Sequence, residues 1–295
     1  MTPHPFKQVP AVYHRQLGDV LVTGLSDGYM DMGYEIFRDI PEDEVRAILA
    51  REHRIAPPRI SINVFALRFG GKTYLVDCGS QHFMGPTCGR LMDNLAAAGI
   101  TAGSVDGVIL THVHPDHSNG LTDVATGQPI FPNAEVIVHQ AEIDHWYDDA
   151  AMARATERQR LRYFQWGREQ LNPYRAADKV KTFRDGEILP GIIAVPCPGH
   201  TPGHCSYVVS SGSQSMIVWG DTVHVPEIQL ARPEVAMQFD TDPERGVRSR
   251  QRILDMVIAD DLLVAGMHVH FPGFGHMRGE NGGYSIVAEQ WAYTA

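Results

Sequence analysis

The alternation of short apolar runs with helical segments predicts an α/β fold along the whole 295-residue chain. The apolar runs have the length of buried strands, and no low-complexity linker separates them. With 43% hydrophobic residues, the chain has enough apolar side chains to bury a sizeable core. We therefore predict one domain over residues 1–295, with an N-terminal extension at about residues 1–17.

Turn residues and periodicity place the individual elements. Strands are predicted where short apolar runs end in turn residues, at 20–25, 62–69, 73–76, 105–110, 135–138, 192–195, 207–209, 216–219 and 262–266. Two pairs of these strands are predicted to form hairpins, because Gly70-Gly71 and the polar run 210–215 are typical turn sequences. Helices are predicted at 90–98, before Gly99, at 142–170, which carries mixed charge and repeated aromatics, and at 243–259, where a proline precedes an apolar face.

The most informative segment is residues 111–117, which reads THVHPDH. It follows the predicted strand at 105–110, so its side chains are expected at the carboxyl end of a buried strand. In extended backbone His112 and His114 project to the same side, and Pro115 keeps His114 out of the helical region. Gathering imidazoles and a carboxylate in one place is costly unless a cation satisfies them. The segment therefore predicts a metal site rather than a hydrogen-bonded histidine cluster.

Three further predicted strands end in the same kinds of residue. His200 lies in the turn after 192–195, Asp221 follows 216–219, and His268 and His270 follow 262–266. An aspartate such as Asp221 could offer one oxygen to each of two metals. Four strand ends that each deliver an imidazole or a carboxylate are strong evidence for one shared site.

Composition excludes several classes of function. Asp and Glu total 35 against 25 Lys and Arg, which argues against a general nucleic-acid surface. No run of about twenty apolar residues could span a membrane, and residues 1–10 lack the pattern of a secretory signal. The four cysteines lack metal-finger spacing and are expected to be reduced thiols. We therefore expect a cytoplasmic protein without nucleic-acid or membrane partners, although a processed secreted form is left open.

These motifs resemble those of the metallo-β-lactamase superfamily. The resemblance extends over most of the chain and rests on His112-x-His114-x-Asp116-His117, His200, Asp221 and His268. It implies a four-layer αββα sandwich, a fold that composition alone does not name. It also implies that His112, His114 and His200 hold one metal. The second metal would be held by Asp116, His117 and His268, with Asp221 bridging the two.

Within the superfamily, the sequence is most similar to the branch of methyl parathion hydrolase and the quorum-quenching lactonases. The supporting segments are 25–28 (LSDG), 85–87 (GPT), 218–221 (VWGD) and 268–276 (HVHFPGFGH). The Phe-Pro-Gly turn in the last segment favours His268 over His270 as the ligand. The resemblance implies a dinuclear hydrolase in which a metal-bridging hydroxide attacks a lactone or ester. Organophosphate triesters are expected as a side reaction, and arylesterase activity belongs to the same range.

The ligand set predicts two divalent ions. Zinc is the default, while iron, manganese and cobalt are accepted by the same nitrogen and oxygen donors. Asp116 and Asp221 are expected to serve catalysis chiefly as ligands. His224 occupies the position of a substrate-polarising tyrosine in acyl-homoserine lactonases, and it is expected to contact substrate, to protonate the leaving group, or to support the site passively. His204 is expected to pack beside the site rather than to bind metal, and the role of His276 is left open.

A small-molecule substrate requires a pocket beside the metals. Phe83, Met84, Trp146 and Phe164 are candidates for an apolar pocket wall, although each could equally belong to the core. The resemblance also implies a homodimer. Two other functions are weighed against the hydrolase: a mononuclear iron redox enzyme of the sulfur dioxygenase type, and a nucleic-acid-processing phosphodiesterase. The presence of both His117 and His268 disfavours the first, and the acidic balance disfavours the second.

Overall fold

A computed structural model describes residues 8–280 and 282–294 of the chain. Its strands are β1 (Val12–Leu17), β2 (Val20–Asp31), β3 (Arg59–Phe69), β4 (Lys72–Val76), β5 (Gly107–Ile109), β6 (Thr122–Asp123), β7 (Gln128–Pro129), β8 (Glu135–His139), β9 (Val180–Phe183), β10 (Gly186–Leu189), β11 (Ile192–Pro196), β12 (Cys205–Ser211), β13 (Gln214–Val218), β14 (Leu263–Ala265), β15 (Phe274–Glu280) and β16 (Gly283–Ala288).

The helices lie between the strands. They are α1 (Glu42–Arg51), α2 (Leu91–Ala97), α3 (Pro115–Ser118), α4 (Gln140–Trp146), α5 (Asp149–Arg154), α6 (Glu157–Gln159), α7 (Trp166–Ala176), α8 (Pro226–Gln229) and α9 (Pro243–Ala259), with a π-helix at Arg160–Gln165 between α6 and α7. Within the described ranges, no helix is both long enough and apolar enough to cross a bilayer.

Two seven-stranded sheets form the centre of the fold. The first has the order β1-β2-β3-β4-β5-β8-β9, and the second has the order β10-β11-β12-β13-β14-β15-β16. In the first sheet β4, β5, β8 and β9 run parallel, whereas β1 to β4 are antiparallel. In the second sheet β13 and β14 are parallel neighbours, so their carboxyl ends meet at one edge. Strand β11 runs in the same direction as β13, because both are antiparallel to β12.

Three apolar layers hold the sheets and helices together. The inner faces of the sheets meet in one core, where Phe65 and Leu67 of β3 lie in the same cluster as Tyr207 and Val209 of β12. Helices α2 and α7 cover the outer face of the first sheet. Helix α9 covers the outer face of the second sheet through Ile253, Leu254 and Val257. The helix–sheet–sheet–helix order confirms the αββα sandwich.

Most predicted elements are present, and one prediction, the continuous helix over 142–170, needs correction. The N-terminal extension was predicted over residues 1–17: residues 1–7 lie outside the described part, while β1 pairs with β2 from Val12 to Leu17 and is an edge strand of the first sheet. The helix predicted over 142–170 is interrupted. Asp148 and Thr156 each cap a new helix by accepting a hydrogen bond from a backbone N–H, which restarts the chain in a new direction.

Candidate metal centre and adjoining cavity

The first sheet delivers the THVHPDH segment to the site from the carboxyl end of β5. His114 is extended, with φ −118° and ψ 159°, as the following proline predicts. Pro115 then begins the one-turn helix α3, a position in which its missing N–H costs nothing. The change from extended to helical backbone turns Asp116 and His117 away from the direction of His112 and His114. One short segment therefore supplies two differently oriented pairs of ligands.

The second sheet supplies the remaining groups from three strand ends. His200 follows β11, Asp221 follows β13 in a short 3₁₀ turn, and His268 follows β14. All three are buried. The turn before Asp221 requires glycine: Gly220 has φ +57°, and a Cβ there would overlap Nε2 of His204.

The structure brings all the predicted ligands together. Buried donor atoms lie within 4.8 Å of one another in four groups: His112, His114 and His200; His112, His117 and Asp221; Asp116, His117 and His268; His200, Asp221 and His224. We call these eight residues the His–Asp cluster. The first and third groups coincide with the two metal sites that the family resemblance implies.

Asp221 lies between these two groups and presents a different oxygen to each. Its Oδ1 is 3.0 Å from Nε2 of His117 and 3.1 Å from Nε2 of His268. Its Oδ2 is 3.2 Å from Nε2 of His200 and 3.7 Å from Nε2 of His112. A carboxylate with one oxygen facing each imidazole set has the geometry of a bridge.

Acceptors outside the cluster fix the imidazole tautomers. Nδ1–H of His117 donates to Asp77 at 2.7 Å, and that of His200 donates to Asp240 at 2.8 Å. The backbone carbonyl of Ser61 accepts from Nδ1 of His268 at 2.7 Å. With the proton on Nδ1, each ring turns an Nε2 lone pair toward Asp221, the form in which imidazole binds metal.

The tautomer of His112 follows from a short hydrogen-bond chain. The hydroxyl of Thr111 donates to Asp77 at 2.8 Å, so its oxygen is free to accept from Nδ1–H of His112 at 3.0 Å. Nε2 of His112 then lacks a proton, and it lies 3.1 Å from Nε2 of His200. Two lone pairs at that distance repel each other, so either His200 donates a proton to His112, which its raised pKa of about 9 favours, or a metal ion lies between the two nitrogens.

Buried atoms without partners point to the same requirement. Nε2 of His114, Nε2 of His117 and Oδ1 of Asp221 are buried and make no hydrogen bond of good geometry, although the last two atoms lie 3.0 Å apart. Such atoms are rare in folded proteins unless an ion or water satisfies them. The donor set of imidazole nitrogens and carboxylate oxygens suits zinc and related divalent metals. The residues present therefore fit the metal centre that the sequence predicts.

The electrostatics of the cluster keep two imidazoles neutral and draw positive charge to three others: the pKa values of His117, His200 and His268 are raised, that of His200 to about 9. Burial lowers the pKa values of His112 and His114 well below the ordinary range, so both rings are neutral. Burial also opposes charge on His117, but the carboxylates of Asp221, Asp116 and Asp77 raise its pKa well above the ordinary value. The carboxylates therefore attract a positive charge at this position.

A cavity of about 390 Å³ opens onto the cluster. Met30, Met32, Met84, Ile60 and Phe239 form an apolar part of its wall, and His114, Asp116, Asp221, His224 and His268 form its floor. Arg158, Arg162 and Tyr163 line it from the π-helix and the residues just before it. A partly apolar pocket with a few convergent polar groups is typical of small-molecule sites.

The predicted pocket wall is only partly correct. Met84 lines the cavity, and Phe83 instead packs edge-on against Trp166. Trp146 and Phe164 are buried in the core that covers the first sheet. Their rings pack on each other, with centroids 4.9 Å apart. Sequence alone does not separate core aromatics from cavity aromatics, because both follow the same helical spacing.

The other singled-out histidines have different surroundings. Nε2 of His224 lies 2.9 Å from Oδ2 of Asp221, and burial lowers the pKa of His224 to about 4. Nε2 of His204 accepts from the backbone N–H of Asp221 at 2.9 Å, so this ring supports Asp221 from behind. His270 bonds to Glu227 outside the cluster, which agrees with the choice of His268, and His276 is an exposed residue of β15.

Three buried carboxylates that sequence reasoning missed support the site. Besides Asp77 and Asp240, Glu142 joins the two ligand-bearing loops: its Oε2 accepts from the backbone N–H of Val113 and its Oε1 from that of Gly203. The indole N–H of Trp146 also donates to Glu142 at 2.7 Å. The only sequence signal at Glu142 is an acidic residue in the first turn of a helix, which is common on exposed surfaces.

Comparison with known proteins agrees with the fold. Residues 57–268 match the profile of the metallo-beta-lactamase superfamily. The solved structure of AbOPH, a hydrolase in the beta-lactamase superfamily, is 32% identical with a TM-score of 0.91, covering 97% of this chain and 100% of that one. AidC, a dizinc quorum-quenching lactonase in complex with a product, is 24% identical with a TM-score of 0.87, covering 96% and 99% of the two chains. At that identity the likeness to AidC shows a shared fold.

A shorter match links the chain to a curated protein. A probable metallo-hydrolase of Mycobacterium bovis is 29% identical over 148 residues, which is 47% of this chain and 42% of that protein. The chain therefore spans less than half the length of this curated relative.

Proposed function

Since the chain belongs to the metallo-β-lactamase superfamily, we propose that it is a metal-dependent hydrolase that uses two divalent ions, zinc by default, to hydrolyse a lactone or ester. Phosphotriesters are proposed as a side activity, and arylesters fall within the same range. The proposal rests on the site itself, because fold alone does not determine the reaction.

The placement of Asp221 is the observation that carries the dinuclear proposal. Each of its oxygens faces a separate set of imidazoles, and Asp116 adds a second carboxylate to one set, with Oδ2 3.4 Å from Nε2 of His117. A mononuclear site would need only one such set. The second set would then be a buried group of unprotonated nitrogens with nothing to satisfy it.

The residues of the cluster have distinct roles in the proposed reaction. Divalent ions held there would lower the pKa of a bound water to about 7 and stabilise the oxyanion that develops on the substrate. Asp77, Asp240 and Ser61 keep the imidazole lone pairs directed inward. His224, neutral and at the cavity floor, is placed to contact the substrate beside Asp221. The apolar wall excludes bulk water from the rest of the substrate.

Metal content and activity, measured on the same sample, test the proposal. Protein purified without added metal would be assayed by elemental analysis and against a lactone, an aryl ester and a phosphotriester. We expect about two metals per chain, and loss of hydrolysis both on chelation and in Asp221→Asn. Asp93→Asn, an exposed aspartate of α2, is the matched control and should retain both metals and activity.

Three results would contradict the proposal or part of it. A fully loaded protein that turns over none of the three substrates would exclude the hydrolase activity proposed here. One iron per chain without hydrolysis would favour the redox alternative. Full activity in Asp221→Asn would leave the dinuclear site without its bridge and would refute that part of the proposal.

A further inference from the structure

Two arginines line the cavity above the His–Asp cluster without a carboxylate to neutralise them. Arg158 lies at the exposed rim, and Arg162 is half-buried within the wall. Neither guanidinium takes part in an ion pair in the portion of the chain that the structure describes. Arginines without an acidic partner are unexpected in a protein with ten more acidic than basic residues.

The carboxylates that share the cavity are engaged elsewhere. Asp31 forms a two-pronged pair with Arg59, with oxygen–nitrogen distances of 2.6 and 2.8 Å. Asp116 faces His117 and His268 within the cluster. The two cavity arginines therefore keep their charge available to whatever enters the cavity.

The surroundings of Arg162 hold it in place without neutralising it. Its Nη2 lies 3.1 Å from the sulfur of Met84, a weak acceptor, and its Nε is buried without a hydrogen-bond partner. The guanidinium carbon lies 5.5 Å from the centre of the Trp166 ring, within the range of a cation–π contact. A positioned guanidinium with spare donors is what recognition of a carboxylate or phosphate requires.

The backbone places this charge close to the reacting centre. Arg162 and Tyr163 are consecutive residues of the π-helix, a rare conformation that is frequent at functional sites. The Tyr163 ring packs on the ring of His114, with centroids 4.5 Å apart. Arg162 is therefore one residue from a side chain that touches the cluster, and Arg158 precedes it by about one helical turn.

From this arrangement we infer that the substrate carries an anionic group, which Arg162 binds while the ester or lactone carbonyl lies at the cluster, with Arg158 assisting at the rim. The inference rests on the proposed hydrolase function and narrows its substrate class. The anion is a carboxylate or a phosphate, because a guanidinium pairs with both. A neutral lactone or triester of the same size would leave Arg162 desolvated and unpaired.

Matched aryl esters with one leaving group test the inference. The set comprises the 4-nitrophenyl ester of pentanoic acid, which is neutral, the mono-4-nitrophenyl ester of glutaric acid, which ends in a carboxylate, and an analogue of similar length that ends in a phosphonate. We expect kcat/KM to be roughly ten- to a hundredfold higher for an anionic ester, the range of a charged hydrogen bond. The faster of the two anionic esters identifies the preferred anion. Added salt should reduce this advantage.

Arg162→Met should lower kcat/KM for the anionic esters much more than for the neutral ester, and Arg162→Lys should restore part of the difference. Arg160→Met is the matched control, since Arg160 is an exposed residue of the same π-helix and does not line the cavity. Equal rates for neutral and anionic esters, or an equal loss for both in Arg162→Met, would overturn the inference. Hydrolysis of the neutral ester would at the same time uphold the proposed function. No hydrolysis of any ester by metal-loaded protein would instead count against the function itself.

Discussion

Asp77 and Asp240 each hold one imidazole of the His–Asp cluster from outside, and they act on opposite sides of Asp221. Asp77 accepts from His117, and Asp240 accepts from His200. Each carboxylate fixes a tautomer and strengthens the nitrogen that faces inward. We expect Asp77→Asn to weaken metal binding chiefly in the set that contains His117, to which it bonds directly, and less in the other set, which it reaches only through Thr111 and His112. Asp240→Asn should weaken binding in the set that contains His200, and each main effect should be roughly 10- to 100-fold.

Titration with zinc, followed by calorimetry, would measure both effects. The two variants should chiefly weaken different binding steps, and Asp93→Asn should weaken neither. If both variants chiefly weakened the same step, the division of the cluster into two sets would be wrong.

Glu142 acts on the backbone rather than on the ligands. It accepts hydrogen bonds from Val113, Gly203 and Trp146, and it is completely buried. In Glu142→Gln an amide N–H₂ would face at least one of these donors, so we expect a loss of about 1–3 kcal/mol in the free energy of unfolding. Urea denaturation would measure it. Asp144→Asn, on the exposed face of the same helix, should change stability by less than about 0.5 kcal/mol.

At the scale of elements, the sequence best predicts those helices and turns whose boundaries are set by neighbouring residues. Helix α9 spans Pro243–Ala259, the range predicted, because a proline at its start and a continuous apolar face agree. The predicted hairpin at Gly70-Gly71 is present, and both glycines have positive φ. The break at Thr156 was readable as a capping box with Gln159, but the aromatic pattern around it suggested a continuous helix. Strand β16 was not among the predicted strands, because it is only half-buried and its sequence carries little periodic signal.

The turn that carries His200 depends on its contact with α9. Gly199 has φ +136°, and a Cβ there would overlap the backbone of Gly246 in α9. Gly199→Ala should therefore combine backbone strain with a steric clash, and we expect a loss of more than about 2 kcal/mol together with weaker metal binding. Gly212→Ala is the matched control: it also has positive φ, at +60°, but no neighbour within 4 Å, so it should lose only about 1–2 kcal/mol. Thermal unfolding would compare the stability of the two variants. Equal losses of stability would show that movement of the loop relieves the clash at Gly199.

At the scale of the whole molecule, the site joins the two sheets. The first sheet supplies His112, His114, Asp116 and His117, and the second supplies the remaining groups of the cluster. The ligand types and their strand ends were predictable, since parallel strands end at a common edge. The supporting carboxylates and the cavity wall were not, because Glu142, Asp240 and Arg162 belong to no local motif and gain their roles only through tertiary packing.

Because its ligands come from both sheets, the metal centre should stabilise the entire fold. We expect metal removal to lower Tm by on the order of ten degrees, since ions that bind the folded chain at concentrations far above Kd add several kcal/mol. Differential scanning calorimetry of chelated and zinc-loaded protein measures this shift. In Asp221→Asn, the difference in Tm between chelated and zinc-loaded protein should be smaller. An unchanged Tm would mean that the cluster is stable without metal.

The single domain and the homodimer remain predictions. Limited proteolysis of the metal-loaded protein would test the first, because one domain should resist cleavage along its length. Sedimentation velocity would test the second.

The division of ligands between the sheets also has a consequence for biosynthesis. Translation produces the THVHPDH segment well before it reaches His268, near the end of the 295 residues. A nascent chain that has released only the first sheet has part of each metal set and neither in full. Stable capture of the two proposed ions must wait until His268 has left the ribosome and the sheets have met, so a product truncated before His268 would be left without its full metal complement.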